Sequence, residues 1–478
     1  MNKPMSTLRQ LFALAAAASS LAVTSAAHAA TFVIVNADAP GIGLNDPKPA
    51  APVGGNNGTT LGQQRLIAIN FLAGIWGRTL SNTNQTFEVL VTFAPQACTA
   101  TNGTLASAGP YTIYRDFDNA KFAGTWYPGA LANKLAGRDL DADTGDAFPE
   151  LAVTANGNVG NSDCIAGSGW YYGLDGQAPD DGFDLIKTIL HEFGHGVGFL
   201  SFVNPSNGKY VEGFPSVWEH FLHDDKINKR WVEMTNDERK TSALNDQGLT
   251  WSGFKTFVAA QQTLKTAYLL DVYIGDAAIG GFLPAGTFRF GPGEGQRRAF
   301  GLLGVLNDDR APGAACNALT AAQASAINKR VALIRRGGCA FTQKVNFAQR
   351  AGATAVIIDD NAPDFGGRPL VGQPDPTLNI FIPAALISQQ DGDKIRASGT
   401  GRFIPAALFE IRRKAGTNLF GRPVMFAPRE VMPGSSVSHF DTSASPNLLM
   451  EPFAVGDESI TLKPPTDLTL PLLQDIGW

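Results

Sequence analysis

His191-Glu192-Phe193-Gly194-His195 sets two imidazoles four positions apart with a carboxylate beside the first. On an α-helix, positions four apart share a face, so both rings can bind one Zn²⁺. Glu192 then stands next to a metal-bound water and can take its proton. A catalytic zinc needs three protein ligands and one open position. A histidine three past Gly198 would complete a local set, but Ser201 stands there.

Two routes to a third ligand are open. Glu219, in "VWEHFLHDD", lies on an expected short helix, which is how glutamate-ligated zinc proteases supply theirs. Against it, Gly198 is placed to break the zinc helix, which a glutamate-ligated site would continue. His439 is the other route, far along the chain in the turn-rich "SSVSHFDTSASPNLLMEP". His220 and His223 complete the histidines that lie beyond residue 30.

The elements that must carry these residues are readable in outline. "FDLIKTILHEFGHGV" is a helix that Asp181 or Asp184 can cap and that Gly196 and Gly198 crowd at its end. Upstream, "TFVIVN" (31–36) is extended. Thr60 and Gln63 make a capping box for a helix whose Leu66, Ile69, Ala73 and Trp76 recur at helical spacing. "TFEVLVTF" (86–93) alternates as a strand does, and 149–156 is a further strand. "PSVWEHFLHDD" (215–225) reads as a short helix and 233–245 as loosely helical. From about residue 268 the texture shifts. Val331 to Ile334, Thr342 to Ala351 and Thr354 to Ile358 read as strand, helix and strand of a compact α/β unit. The boundaries expected are 31–265, 266–415 and 416–478.

"HEFGHGVGF" with a distant "SHFD…NLLMEP" and a closing "DLTLPLLQDIGW" resembles the leishmanolysin-like metzincins. The resemblance implies one catalytic zinc held by His191, His195 and His439, with Glu192 as general base and Met450 as the Met-turn residue beneath the metal. It also implies an α+β fold: a sheet over the zinc helix, a cleft, and a smaller C-terminal lobe. The implied activity is zinc metalloendopeptidase on protein or peptide substrates. Residues 266–415 resemble a protease-associated (PA) domain, through Arg336, Gly337, Gly338, Cys339, Phe341 and Lys344. Such a domain implies contact with substrate or cover for the cleft. The alternative function is a secreted, non-catalytic binding protein that uses this insertion, its zinc serving stability alone.

Residues 1–30 read as a secretory signal peptide: a basic start at Lys3 and Arg9, the apolar "LFALAAAASSLAV", and small residues at Ala29 and Ala30. The apolar run is roughly half the ~20 residues of a spanning helix. The expected destination is outside the cell or the periplasm, with no membrane attachment after cleavage. The chain carries 38 Lys and Arg against 43 Asp and Glu, net −5. Loss of Lys3 and Arg9 takes it to −7, a balance that argues against nucleic acid as a partner. Four cysteines in an exported chain suggest disulfides, and proximity favours Cys98–Cys164 and Cys316–Cys339 among three pairings. No CxxC spacing supports a cysteine zinc site. In "DLDADTGD" (139–146) alternate acids could wrap Ca²⁺, but the glycine sits one place later than in an EF-hand loop. A solvated acidic turn is the reading taken there.

Overall fold

The computed structural model describes residues 29–142, 148–276, 279, 281–306, 315–361, 370–399, 403–453 and 458–478. The expected signal segment lies outside them up to residue 28, as do Asp143 and Asp146 of the acidic turn.

The chain opens with β1 (Thr31–Asn36), α1 (Leu61–Thr79), β2 (Thr86–Ala94), β3 (Ala106–Pro110) and β4 (Leu151–Asn156). These strands make one sheet in the order β1-β2-β4-β3, parallel except for β3, which runs antiparallel along one edge. Apolar residues alternate along β2 and β4, and their inward sides bury Phe87, Val89, Val91, Leu151 and Val153. The helix bearing the two histidines, α2 (Leu185–Val197), packs against β3, β4 and α1. Trp76 of α1 donates its indole N–H to the Leu190 carbonyl at 3.2 Å. Phe193 meets Phe32 edge-on at 5.9 Å.

The position of α2 depends on Gly196. A Cβ there would lie 2.5 Å from Leu151 Cδ1 and 2.9 Å from Leu151 Cβ, and Leu151 is fully buried in β4. Only a bare Cα lets the helix lie this close to the sheet.

After α2 the chain turns through short elements into an inserted α/β unit. It comprises β5 (Thr266–Ile274), β6 (Gly281–Ala285), β7 (Ala299–Val305), β8 (Arg330–Arg335), α3 (Phe341–Arg350), β9 (Ala355–Asp359), β10 (Ala384–Ile387) and β11 (Pro405–Lys414). The seven strands form a second sheet, ordered β6-β5-β11-β7-β8-β9-β10. The first and last long strands are antiparallel neighbours, with Thr266 opposite Lys414. Cys316 and Cys339 are bonded inside this unit, as Cys98 and Cys164 are outside it. Gly337 and Gly338 both adopt positive φ, and Lys344 is fully buried with its Nζ 3.5 Å from Cys316 Sγ.

Residues beyond 415 return to the first sheet and end in α4 (Thr469–Ile476). They have no separate core among the described residues. Met425, Phe440, Met450, Leu472 and Ile476 join the same apolar cluster as Phe87, Leu151 and Phe193, and Trp478 donates its indole N–H to the Val197 carbonyl at 2.7 Å. The smaller C-terminal lobe expected from the sequence is thus an extension of one core.

Four local expectations change. Leu66 is 37% exposed, since the buried stripe of α1 runs through Ile69, Ala73 and Trp76 instead. The Gln63 side chain bonds Thr59 rather than Thr60, so the capping box is offset by one residue. Within 215–225 only Trp218–His220 is helical, a single 3-10 turn, because Leu222–Asp224 pairs as a strand with Leu249–Trp251. Asp141 is buried rather than solvated, with the Tyr114 hydroxyl donating to it at 3.2 Å.

Gly196→Ala is expected to destabilise the protein by about 1–3 kcal/mol through overpacking, outweighing the ~1 kcal/mol that alanine gains in a helix interior. Urea unfolding of the two proteins measures the difference.

Candidate metal centre

Asp184 starts α2, its carboxylate accepting from the Lys187 N–H at 3.1 Å. Gly198 ends it at φ +125°, a conformation that side chains rarely adopt, and the chain leaves the helix one turn past His195. His191 and His195 therefore project from one face of the last two turns. His439 arrives from the far end of the chain to meet them.

The three Nε2 atoms form a triangle 3.1 Å on each side. Each ring's other nitrogen faces a backbone carbonyl: His191 Nδ1 meets Leu449 O at 2.6 Å, His195 Nδ1 meets Phe199 O at 2.7 Å, and His439 Nδ1 meets Ser435 O at 2.8 Å. A carbonyl oxygen only accepts, so every Nδ1 carries the proton. Burial lowers the pKa of all three rings, His195 to about 3, which keeps them neutral. Three Nε2 lone pairs then point at one another with no hydrogen among them. That arrangement repels itself unless a cation lies between. Tetrahedral Zn–N bonds of about 2.0–2.1 Å would space the nitrogens about 3.3–3.4 Å apart, near the distance observed. The residues fit a zinc ion, and the carbonyls supply the outer hydrogen bonds that orient ligating imidazoles.

Glu192, the residue after His191 on α2, is half-buried. Desolvation pushes its carboxyl up to about 8, offset in part by the Ala108 N–H of β3, which donates to it. Met450 sits under the helix, fully buried: a Cβ on Gly194 would fall 2.6 Å from its Sδ. Its carbonyl accepts from the Phe440 N–H at 2.9 Å, joining the two ends of the "HFD…LLM" turn.

The rival ligand is engaged elsewhere. Glu219 is fully buried, and its Oε1 accepts from the Ser201 hydroxyl at 2.7 Å and the Phe202 N–H at 3.2 Å. Its Oε2 accepts from the Ser216 N–H. The two residues that made the third ligand uncertain are hydrogen-bonded to each other. His220 stacks on Phe122 at 3.9 Å, and His223 faces Asp225 at 2.9 Å; neither joins the cluster.

Sequence reasoning missed β3, whose Ala108 reaches Glu192. Ala-Ser-Ala-Gly-Pro carries no strand signal; its pairing is imposed by β4. It also missed the three carbonyl acceptors, since backbone groups leave no trace in residue types.

A family model described as the PA domain matches residues 304–395, inside the second sheet, so the insertion contains a PA domain. Among curated proteins, "Signal peptide peptidase-like 3" of Arabidopsis thaliana is 35% identical over 74 residues, 16% of this chain and 14% of that protein. "Signal peptide peptidase-like 2" of the same plant is 36% identical over 87 residues, 18% of this chain and 16% of that protein. The chain thus spans about one-seventh of the length of these relatives. Among solved structures, a zinc aminopeptidase from Bacillus subtilis is 19% identical with a TM-score of 0.22, covering 33% of this chain and 35% of that one. An aminopeptidase from Aneurinibacillus sp. strain AM-1 is 22% identical with a TM-score of 0.22, covering 33% and 36%.

Met450→Ala is expected to lower unfolding free energy by roughly 2–5 kcal/mol, and the volume-conserving Met450→Leu by less than about 1.5 kcal/mol. Denaturant titration of the metal-free proteins separates the two.

Proposed function

We propose that this chain is a zinc-dependent endopeptidase that acts after export, a leishmanolysin-like metzincin whose catalytic domain (31–265 and 416–478) is interrupted by an insertion at 266–415. Residues 1–30 are its cleaved signal, and two disulfides among the described residues support an oxidising compartment. The observation that carries the reading is the convergence of three bare imidazole nitrogens beside Glu192.

Zinc, when bound, acidifies a water and polarises a carbonyl. Beside a dication the Glu192 carboxyl is favoured as the carboxylate, the form that accepts a proton. Glu192 takes one proton from the water whose oxygen attacks the scissile carbonyl carbon. It returns that proton to the amide nitrogen as the C–N bond breaks, leaving a carboxylic acid and an amine. The three carbonyls hold the imidazoles in place throughout, with Met450 packed beneath the helix at Gly194.

The substrate lies along β3, whose outer side is an edge of the sheet. Leu105 and Tyr111 bond towards β4, so the alternate residues Ala106 and Ala108 face outward, the Ala108 N–H being the one that reaches Glu192. An extended peptide adds to such an edge by main-chain hydrogen bonds, next to Glu192.

Casein cleavage by the mature protein tests the reading. A zinc chelator is expected to abolish it, and Glu192→Ala to reduce it by about 10²–10⁴-fold while zinc content is unchanged. His439→Ala is expected to weaken zinc binding itself, leaving a two-histidine site. A folded, zinc-loaded protein that cleaves neither casein nor a mixed peptide library would instead favour the binding-protein alternative.

A further inference from the structure

We infer that Glu219 is a positioning residue for the third histidine: through Ser201 and Trp218 it fixes the backbone that aims His439 at the other two rings. The inference rests on the zinc reading above and goes beyond it, because it gives a role to a carboxylate outside the cluster.

His439 is preceded by Val437 and Ser438, and both are tied to the Glu219 wall. The Ser201 N–H donates to Ser438 Oγ at 3.1 Å. The Trp218 indole N–H donates to the Val437 carbonyl at 3.1 Å. Val437 itself adopts φ +63°, a region that a β-branched side chain resists. Such a conformation persists only where the surroundings over-determine it. Here Trp218 holds its carbonyl, Phe426 accepts its N–H at 2.7 Å, and burial holds its side chain.

Glu219 anchors the wall. The donors around it are the Ser201 hydroxyl, the Phe202 N–H, and the N–H and hydroxyl of Ser216. Such a set needs an acceptor with two oxygens and no hydrogen of its own, which a carboxylate is and an amide is not. Ser201 is oriented in turn, since its hydroxyl donates to Glu219 and accepts from the Val203 N–H at 3.1 Å. Ser201 thus supplies a link to the third ligand from the position where a local third ligand would stand.

The test is cobalt binding by the full mature chain, read by the absorption of the bound ion and by competition with a chelator. The wild type is compared with Glu219→Gln, Ser438→Ala and the two-histidine reference His439→Ala. Thermal melts of the metal-free proteins report folding independently. Glu219→Gln, which acts on His439 through intervening residues, is expected to weaken cobalt binding about tenfold, the low end for direct outer partners of metal ligands, and to move its spectrum towards the His439→Ala reference. Ser438→Ala removes one hydroxyl, so it decides the matter if Glu219→Gln does not fold; a several-fold loss is expected. Wild-type affinity and spectrum in a folded Glu219→Gln, or in Ser438→Ala if the first does not fold, would overturn the inference alone. A wild-type chain that takes up no cobalt would overturn the zinc reading and this inference together. Cobalt bound without any peptide hydrolysis would count against the peptidase and leave the inference standing.

Discussion

Three lone pairs aimed at one point are the constraint on which the rest of the structure turns. Among the described residues the Nε2 atoms of His191, His195 and His439 face one another, and the fold must aim all three at that point. It does so with main-chain carbonyls at Leu449, Phe199 and Ser435, each fixed by its own turn. A neutral ring locked as its Nδ1–H tautomer is the form that binds a metal, and the backbone imposes that form on all three.

Close approach is the second requirement, and small residues meet it. Gly194 admits the thioether of Met450 beneath the helix, Gly196 admits Leu151 of the sheet, and Gly198 lets the chain turn away at once. Larger residues at the first two positions would lift the helix from both neighbours and move the histidines with it. The packing around α2 and the geometry of the imidazoles are therefore one problem rather than two.

What was legible in the sequence follows the range of the forces involved. The helix, its glycine stop and the pairing of His191 with His195 are local patterns, and they read directly, while its cap was left between Asp181 and Asp184 and falls at Asp184. So does the strand–helix–strand run of the insertion, where apolar period and turn residues agree. His439 and Met450 were legible only through resemblance, because spacing alone left Glu219 open. The Ser201–Glu219 hydrogen bond, which holds that carboxylate away from the histidines, depends on how two turns 18 residues apart face each other. The edge strand was invisible for the opposite reason: Ala106–Pro110 is extended because of its neighbour, against its own composition.

The pairing of Thr266 with Lys414 bears on how the site assembles. His439 lies 244 residues from His195 along the chain, a costly loop to close in a search through unfolded conformations. Once the insertion has folded, its entry and exit are adjacent, and the Ala415 N–H bonds the Lys265 carbonyl at 3.0 Å. The loop that remains to be closed shrinks to roughly 95 residues, which lowers its closure entropy by about 0.8 kcal/mol. The insertion shortens the path between two parts of the histidine cluster that it separates in the sequence. In that sense it is a splint for assembly.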